Sequence, residues 1–302
     1  MLTVVIPATD APPTLPRCLA ALARSEQAHE VEVVADPGLG GPAAARNAGV
    51  ARTQGEIVVF IDADVEVHPD ALCRLRAALD ADPRLDAVFG AYDDRPASPA
   101  AISRFRNLLH HHVHTSSPGT ASTFWAGIGA IRREAFEAVG GFDARRYPRP
   151  SIEDVELGMR LHAAGRRIAL EPAARGTHLK RWTLASMLRT DFAARGAPWV
   201  ALRLERGGAG ARALNLSWRH RVAAGAAVMA LAAAATGRGR LAAAAVAAMM
   251  VPNAGFYALL ARLGGPRLAL AGVPLHLVHH LTAVASVPAG VVLWARRGRA
   301  TA

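Results

Sequence analysis

EIVVFIDADVEVHPDAL, residues 56–72, decides the fold. Ile57 to Ile61 are all apolar, the pattern of a strand buried on both faces. That strand runs into Asp62 and Asp64, although an unpaired carboxylate at the edge of a core is costly to desolvate. Pro69 then opens a helix over 69–79. Two acids at the carboxyl end of a buried strand sit where open α/β sheets place their chemistry.

The same alternation extends outward on both sides. LTVVI (2–6) and VEVVAD (31–36) read as strands, and 14–24 and 42–52 read as helices, with Thr14 as an N-cap. LDAVFGA (85–91) is a fourth strand, and ISRFRNLLHHHVH (102–114) has a helical apolar pattern. SIEDVELGMRLHAAG (151–165) reads as a helix with Ser151 as N-cap, Asp154 three residues on and Gly165 at its end. RRIAL (166–170) is a short strand, and 182–196 an amphipathic helix. The βαβα order predicts an α/β fold with a parallel sheet covered by helices.

Charge divides the 302-residue chain. All 24 acids lie at or before Glu205, and the 11 basic residues after it are arginines, so the net charge of +11 belongs to the last third. A neutral main domain argues against nucleic acid as a partner. The last third is Ala-rich and apolar over 222–236, over 241–261 with Pro252 and Asn253 inside, and over 268–295 without one Asp, Glu, Lys or Arg. A membrane-spanning helix takes about 20 apolar residues, so two or three spans are expected within 222–295. A buried helical subdomain is the other reading. The segment 206–221 then reads as a basic juxtamembrane linker and 296–302 as a basic tail, with the main domain at 1–205. Arginine counts do not choose between two and three spans. The start, MLTVVIP, reads as a first strand and not as a signal peptide, and Cys18 and Cys73 give no disulfide framework.

Three groups of residues carry chemistry. Asp62 and Asp64, in D-x-D spacing, would point the same way from an extended chain and offer oxygen ligands to Mg²⁺ or Mn²⁺. A polar turn before a helix gives the same pattern. Glu153 and Asp154 fall in the first turn of a helix, where the dipole favours carboxylates; ordinary capping would also put them there. HLKRW (178–182) supplies Arg181 to clamp phosphate and Trp182 to stack on a sugar, or else forms a surface loop anchored by its Trp.

These groups, with VVIPATD (4–10), Asp36, AARNAGVARTQGEIVVFIDADV (44–65), FWAGIGAIRREAFEAVGGFD (124–143) and SIEDVELGMRL (151–161), resemble the family 2 glycosyltransferases. The resemblance covers about residues 1–200. It implies a GT-A fold, a nucleotide-sugar donor and a divalent cation, Mg²⁺ or Mn²⁺. It also implies roles. Asp10 and Asp36 would contact base and ribose, with Arg46 and Asn47 holding that half-site. Asp62 would touch ribose or the metal, and Asp64 would ligate the metal. Gly127, Ile128 and Gly129 would line the acceptor side. Asp154 would be the general base, with Glu153 as the alternative. Arg181 and Trp182 match the end of the family's Q-x-x-R-W motif, with Arg181 on the donor and Trp182 on the acceptor. His178 replaces the Gln of that motif and would ligate the metal or touch the acceptor; the strongly processive relatives keep Gln, which favours single transfer here. PGLGGP (37–42) replaces the family's acidic, Ser-rich loop, so base recognition departs from the pattern.

The implied enzyme is membrane-anchored, with its catalytic domain on the cytoplasmic side of an inner or plasma membrane and a lipid or lipid-linked acceptor. A nucleotidyltransferase on a similar sheet and a non-catalytic membrane scaffold are its rivals. GLGGPA (38–43) also fits a dinucleotide fingerprint, but it follows the second strand and leaves the other motifs unexplained. His110, His111, His112 and His114 diverge around a helix and make a poor zinc site. His276, His279 and His280 share one face of the last apolar run, for helix packing or head-group contact.

Overall fold

The computed structural model describes residues 1–207 and 218–300. Most of the expected linker 206–221 and the end of the expected tail 296–302 lie outside the described residues. There are two compact units: Met1–Ser98 with Val113–Lys180, and Pro99–His112 with Arg181–Ala302.

In chain order the elements are β1 (Leu2–Pro7), α1 (Leu15–Leu22), β2 (Glu30–Val34), α2 (Pro42–Ala51), β3 (Ile57–Ile61), β4 (Val65–Val67), α3 (Ala71–Ala81) and β5 (Leu85–Tyr92). There follow α4 (Ala101–Thr115), β6 (Gly119–Ala121), β7 (Ile128–Arg132), α5 (Arg133–Ala138), α6 (Glu153–Ala163) and β8 (Arg167–His178). The strands make one sheet in the order β2-β1-β3-β7-β5-β8-β4, with β6 alongside β8. As its apolar run requires, β3 is buried at every residue. Phe60 packs against the rings of Phe124, Phe136 and Phe142 at centroid distances of 6.4, 5.6 and 5.1 Å.

Several expectations need correction. The sheet is mixed, not parallel: β1, β2 and β3 run together, but β7 runs antiparallel to both β3 and β5. The chain leaves β5 at its carboxyl end and re-enters the sheet at that same end, so β7 has to run back. The strand expected at 166–170 extends to His178, which carries that imidazole to the carboxyl edge. Ser151 is not an N-cap. The helix starts at Glu153, and Glu153 Oε2 accepts the Ser151 N–H at 2.8 Å.

In the second unit, α7 (Leu184–Arg189) opens with a Thr183–Ser186 capping box, and a π-helical stretch, Thr190–Gly196, leads into α8 (Ala197–Glu205). After these come α9 (Trp218–Ala235), α10 (Gly239–Met250) and α11 (Ala254–Ala300). Gly265, at φ 69° and ψ −178°, breaks α11 just before Pro266, a backbone conformation that a side chain would strain. The unit begins at Arg181, not where the acids stop at Glu205, because α8 packs on α11: a Cβ on Gly290 would lie 2.4 Å from Val200 Cβ. Among the described residues one helical stretch, Gly239–Arg297, is long and apolar enough to cross a membrane, with mean hydropathy 1.6. The 222–236 run, inside α9, is not part of it.

Candidate active site

The site of the first unit forms at the carboxyl edge of β3. The chain does not stay extended through Asp62–Asp64. It turns, the Val65 N–H donating to Asp62 O at 3.0 Å, and the two carboxylates go to different partners. The D-x-D pair therefore does not act as one two-pronged ligand from an extended strand.

Asp62 faces α2. Arg46, 4% exposed, donates from Nη2 to Asp62 Oδ1 at 2.7 Å and from Nη1 to Glu153 Oε1 at 2.9 Å, with its guanidinium over the Phe142 ring. One buried cation thus ties the end of β3 to the start of α6. Burial would lower the Arg46 pKa, but Asp62 and Glu153 hold it firmly protonated. Burial pushes the Asp62 carboxyl above its usual range against the pull of Arg46. Cys18, whose thiol faces Asp62 O, is driven up to about 12 by burial and the nearby acids, which makes it an inert core thiol.

Asp64 faces β8. His178 Nε2 lies 3.3 Å from Asp64 Oδ2. Burial would raise the Asp64 pKa, but the bond to His178 holds it below the usual carboxylate range. The His178 ring stacks on Tyr92 at 4.2 Å and 10°, and Tyr92 meets Trp125 edge-on at 4.8 Å. A divalent ion with bonds of about 2.1 Å sets adjacent octahedral ligands about 3 Å apart. The Asp64–His178 spacing fits two such positions. Among the described residues no third His, Cys, Asp or Glu completes the set, so the remaining ligands would be oxygens of a bound molecule and water. Asp62, expected on the ribose or the metal, is engaged through Oδ1 with Arg46.

Asp154 lies in the first turn of α6. Its Oδ1 accepts the Val155 N–H at 2.8 Å and its Oδ2 the Ala126 N–H at 3.1 Å. Burial, reinforced by Glu153, pushes its pKa up to about 6, although Arg46 and the two N–H groups pull the other way. Glu153 is ion-paired with Arg46 and also accepts the Ser151 N–H, whereas Asp154 accepts only neutral N–H groups, so Asp154 is the better candidate base. Gly158 sets the spacing. A Cβ there would fall 2.1 Å from Phe124 N and 2.4 Å from Thr123 C, so α6 lies directly on the backbone that leads to Ala126. Gly158→Ala is expected to destabilise the fold by about 2 kcal/mol through overpacking and to lift Asp154 from Ala126. Thermal melts and initial rates check this, and an unchanged melting temperature would refute it.

The other expected residues fall as follows. Asp10 and Asp36 are exposed just beyond β1 and β2, and Asp36 accepts the Gly38 N–H at 2.8 Å. Asn47 is committed elsewhere: its amide pairs with both backbone groups of Phe142, at 2.8 and 2.9 Å, so it braces a turn instead of facing a ligand. Gly127 O accepts the Asp62 N–H at 3.2 Å, and Ile128 and Gly129 continue into β7. Arg181 is exposed at the start of the second unit. Trp182 is a correction. It is 5% exposed, stacked beneath Arg106 at 5.5 Å, and its backbone N–H donates to Ser103 Oγ, so its ring is packed within the second unit and is no sugar platform.

The histidine clusters are structural. His112 packs on Phe256 in the second unit, and His114 bonds Gly90 O at 3.0 Å in the first. His276 bonds Tyr257 and His279 bonds Asp191, each at 2.9 Å. Two residues were missed from the sequence: Tyr92, whose place at the carboxyl end of β5 was a usable signal, and Trp125, whose signal was the run of small residues after it.

Residues 25–140 match the family model Glycosyl transferase family 2. Over that stretch the chain is similar to the family 2 glycosyltransferases. It is 31% identical over 182 residues to the "Pre-mycofactocin glycosyltransferase" of Mycobacterium tuberculosis, covering 58% of this chain and 38% of the relative. It is 28% identical over 172 residues to the "Probable glycosyltransferase YdaM" of Bacillus subtilis, covering 54% and 40%. The matched stretch thus spans less than half the length of either relative. Among solved structures, a Pyrobaculum calidifontis mannosyltransferase in complex with GDP-Man and Mn²⁺ superposes with a TM-score of 0.57 at 20% identity, over 95% of this chain and 86% of that one. That likeness establishes the GT-A fold.

Proposed function

We propose that this glycosyltransferase moves a sugar from a nucleoside-diphosphate donor to a hydroxyl of a lipid or lipid-linked acceptor in one inverting displacement. The observation that carries this reading is Asp154, a carboxylate held by two N–H groups and pushed up to about 6 by burial, in the same unit as the Asp64–His178 pair. Asp154 takes the proton of the attacking hydroxyl. Arg46, through Asp62 and Glu153, fixes the floor between donor and base. Asp10 and Asp36 sit at the strand ends where base and ribose would lie, and the resemblance assigns Arg181 to the diphosphate. Gly127 to Gly129 would line the acceptor side. Asp64 and His178 would hold a Mn²⁺ or Mg²⁺ ion, which supplies charge stabilisation to the departing diphosphate. The Gly239–Arg297 stretch supports a membrane anchor, with the catalytic unit on the cytoplasmic face, where nucleotide sugars are made.

Detergent-purified protein, given UDP-, GDP- and dTDP-sugars with Mn²⁺, Mg²⁺ or EDTA, should release one nucleoside diphosphate in a metal-dependent way. Release of pyrophosphate would indicate nucleotidyl transfer, and no turnover of any donor with membrane lipids present would sink the enzyme reading. His178→Ala should raise the Mn²⁺ concentration needed for half-maximal rate by about tenfold or more. An unchanged metal titration would remove His178 from the ligand set.

A further inference from the structure

Trp125 is the large ring at the centre of the first unit's site. Its edge meets Tyr92 at 4.8 Å, and Tyr92 stacks on His178, the partner of Asp64. On another side it meets His114 edge-on at 5.3 Å. The next residue, Ala126, gives its N–H to Asp154. The one after, Gly127, pairs with the backbone of Asp62. A Cβ on Gly127 would fall 2.3 Å from Trp125 Cζ2, so the absence of a side chain there lets the indole lie down on the strand. The ring thus touches the Tyr92–His178 stack, and its own backbone leads directly into the Ala126 N–H that holds Asp154. It is only half-buried, whereas its neighbour Phe124 is 1% exposed.

In an inverting displacement the reacting sugar lies between the leaving diphosphate and the attacking hydroxyl. We propose that the open part of the Trp125 indole is the stacking platform for the pyranose ring of the donor, and so sets which sugars the site accepts. This rests on the reading of the site as a nucleotide-sugar transferase. A pyranose presents a face of C–H groups, and a flat aromatic surface is the side chain that matches it while leaving the hydroxyl edge to polar partners. The clamped position of the ring, fixed by Tyr92 and His114, means that little freedom is lost on binding.

The test compares free nucleotide with sugar nucleotide. Calorimetry on the full-length protein in detergent with Mn²⁺ would use three pairs: UDP and UDP-glucose, UDP and UDP-N-acetylglucosamine, GDP and GDP-mannose. The wild type should bind one sugar nucleotide more tightly than its free diphosphate. Trp125→Leu, which keeps an apolar filler, should lose about tenfold of that gain and bind the free diphosphate as before. Trp125→Phe should keep most of it, a readout that a role in folding alone would not give. Equal binding of sugar nucleotide and diphosphate by the wild type, or a gain that survives in Trp125→Leu, overturns the inference and leaves the transferase reading standing. Loss of diphosphate binding in both variants also overturns it, because the ring would then be a structural support. Failure of the wild type to bind any member of the three pairs overturns both.

Discussion

Asp154→Asn is expected to lower turnover by about 10³-fold while leaving affinity for the nucleoside diphosphate within about twofold. The amide keeps the size of the carboxylate and its one oxygen can still accept the Ala126 N–H, so the local fold should survive at the cost of the Val155 N–H bond. What it cannot do is take a proton. The pH profile gives a second, independent reading of the same residue. Burial and the adjacent Glu153 raise the Asp154 pKa to about 6. A base works only when deprotonated, so kcat/KM should rise with pH through about 6 and level off above it. An acid limb instead near the ordinary aspartate value would mean that another group supplies it. Glu153→Gln is the control for assignment. It removes a like charge beside Asp154, so the acid limb should move to lower pH, although loss of a partner for Arg46 will also cost stability. A full-rate Asp154→Asn enzyme would end the assignment outright.

How much of this was open to the sequence depends on the range of the interaction. The β3 strand, its two acids and the helix after them follow from local patterning, because a run of apolar residues has few ways to be buried. Local pattern did not choose between an extended pair and a turn at Asp62–Asp64, since period-two reasoning holds only while the strand lasts, and here it ends at Ile61. The two tryptophans make the same point. Trp182 sits in a motif that suggested a platform, yet Arg106 and Ser103, some 80 residues earlier, bury it. Trp125 stands in the FWAGIG stretch, but its position depends on Gly127 having no side chain and on Tyr92 arriving from a distant strand. The raised pKa of Asp154 likewise needs α6 to lie on the 123–126 backbone, which only Gly158 allows. The division at Lys180 was masked because charge, the property that changes at Glu205, does not decide which helices pack together.

Replacing Arg46 should have the largest effect on stability. Its guanidinium joins Asp62 to Glu153, and Asp154 is also within its field. In Arg46→Met the side-chain volume stays but two carboxylates lose their partner. Breaking a buried pair on one side costs about 3–5 kcal/mol, and Asp62, whose side chain is 30% exposed, places the loss toward the lower figure. For a chain of this size that is a fall in melting temperature of about 10 °C. The sign of the pH dependence identifies the cause. Burial already holds the Asp62 carboxyl above its usual range against the pull of Arg46; without Arg46 it rises further, so the variant regains stability as the pH falls and Asp62 protonates. The gap between wild type and Arg46→Met should therefore be wide at pH 8 and narrower near pH 5. Adding Glu153→Gln to Arg46→Met should recover part of the loss at pH 8, because one of the two stranded charges is gone. Arg46→Lys should fall between, since an ammonium cannot span the two carboxylates as the planar fork does. A gap that stays constant with pH would mean that Arg46 acts through its packing on Phe142 and not through its charge.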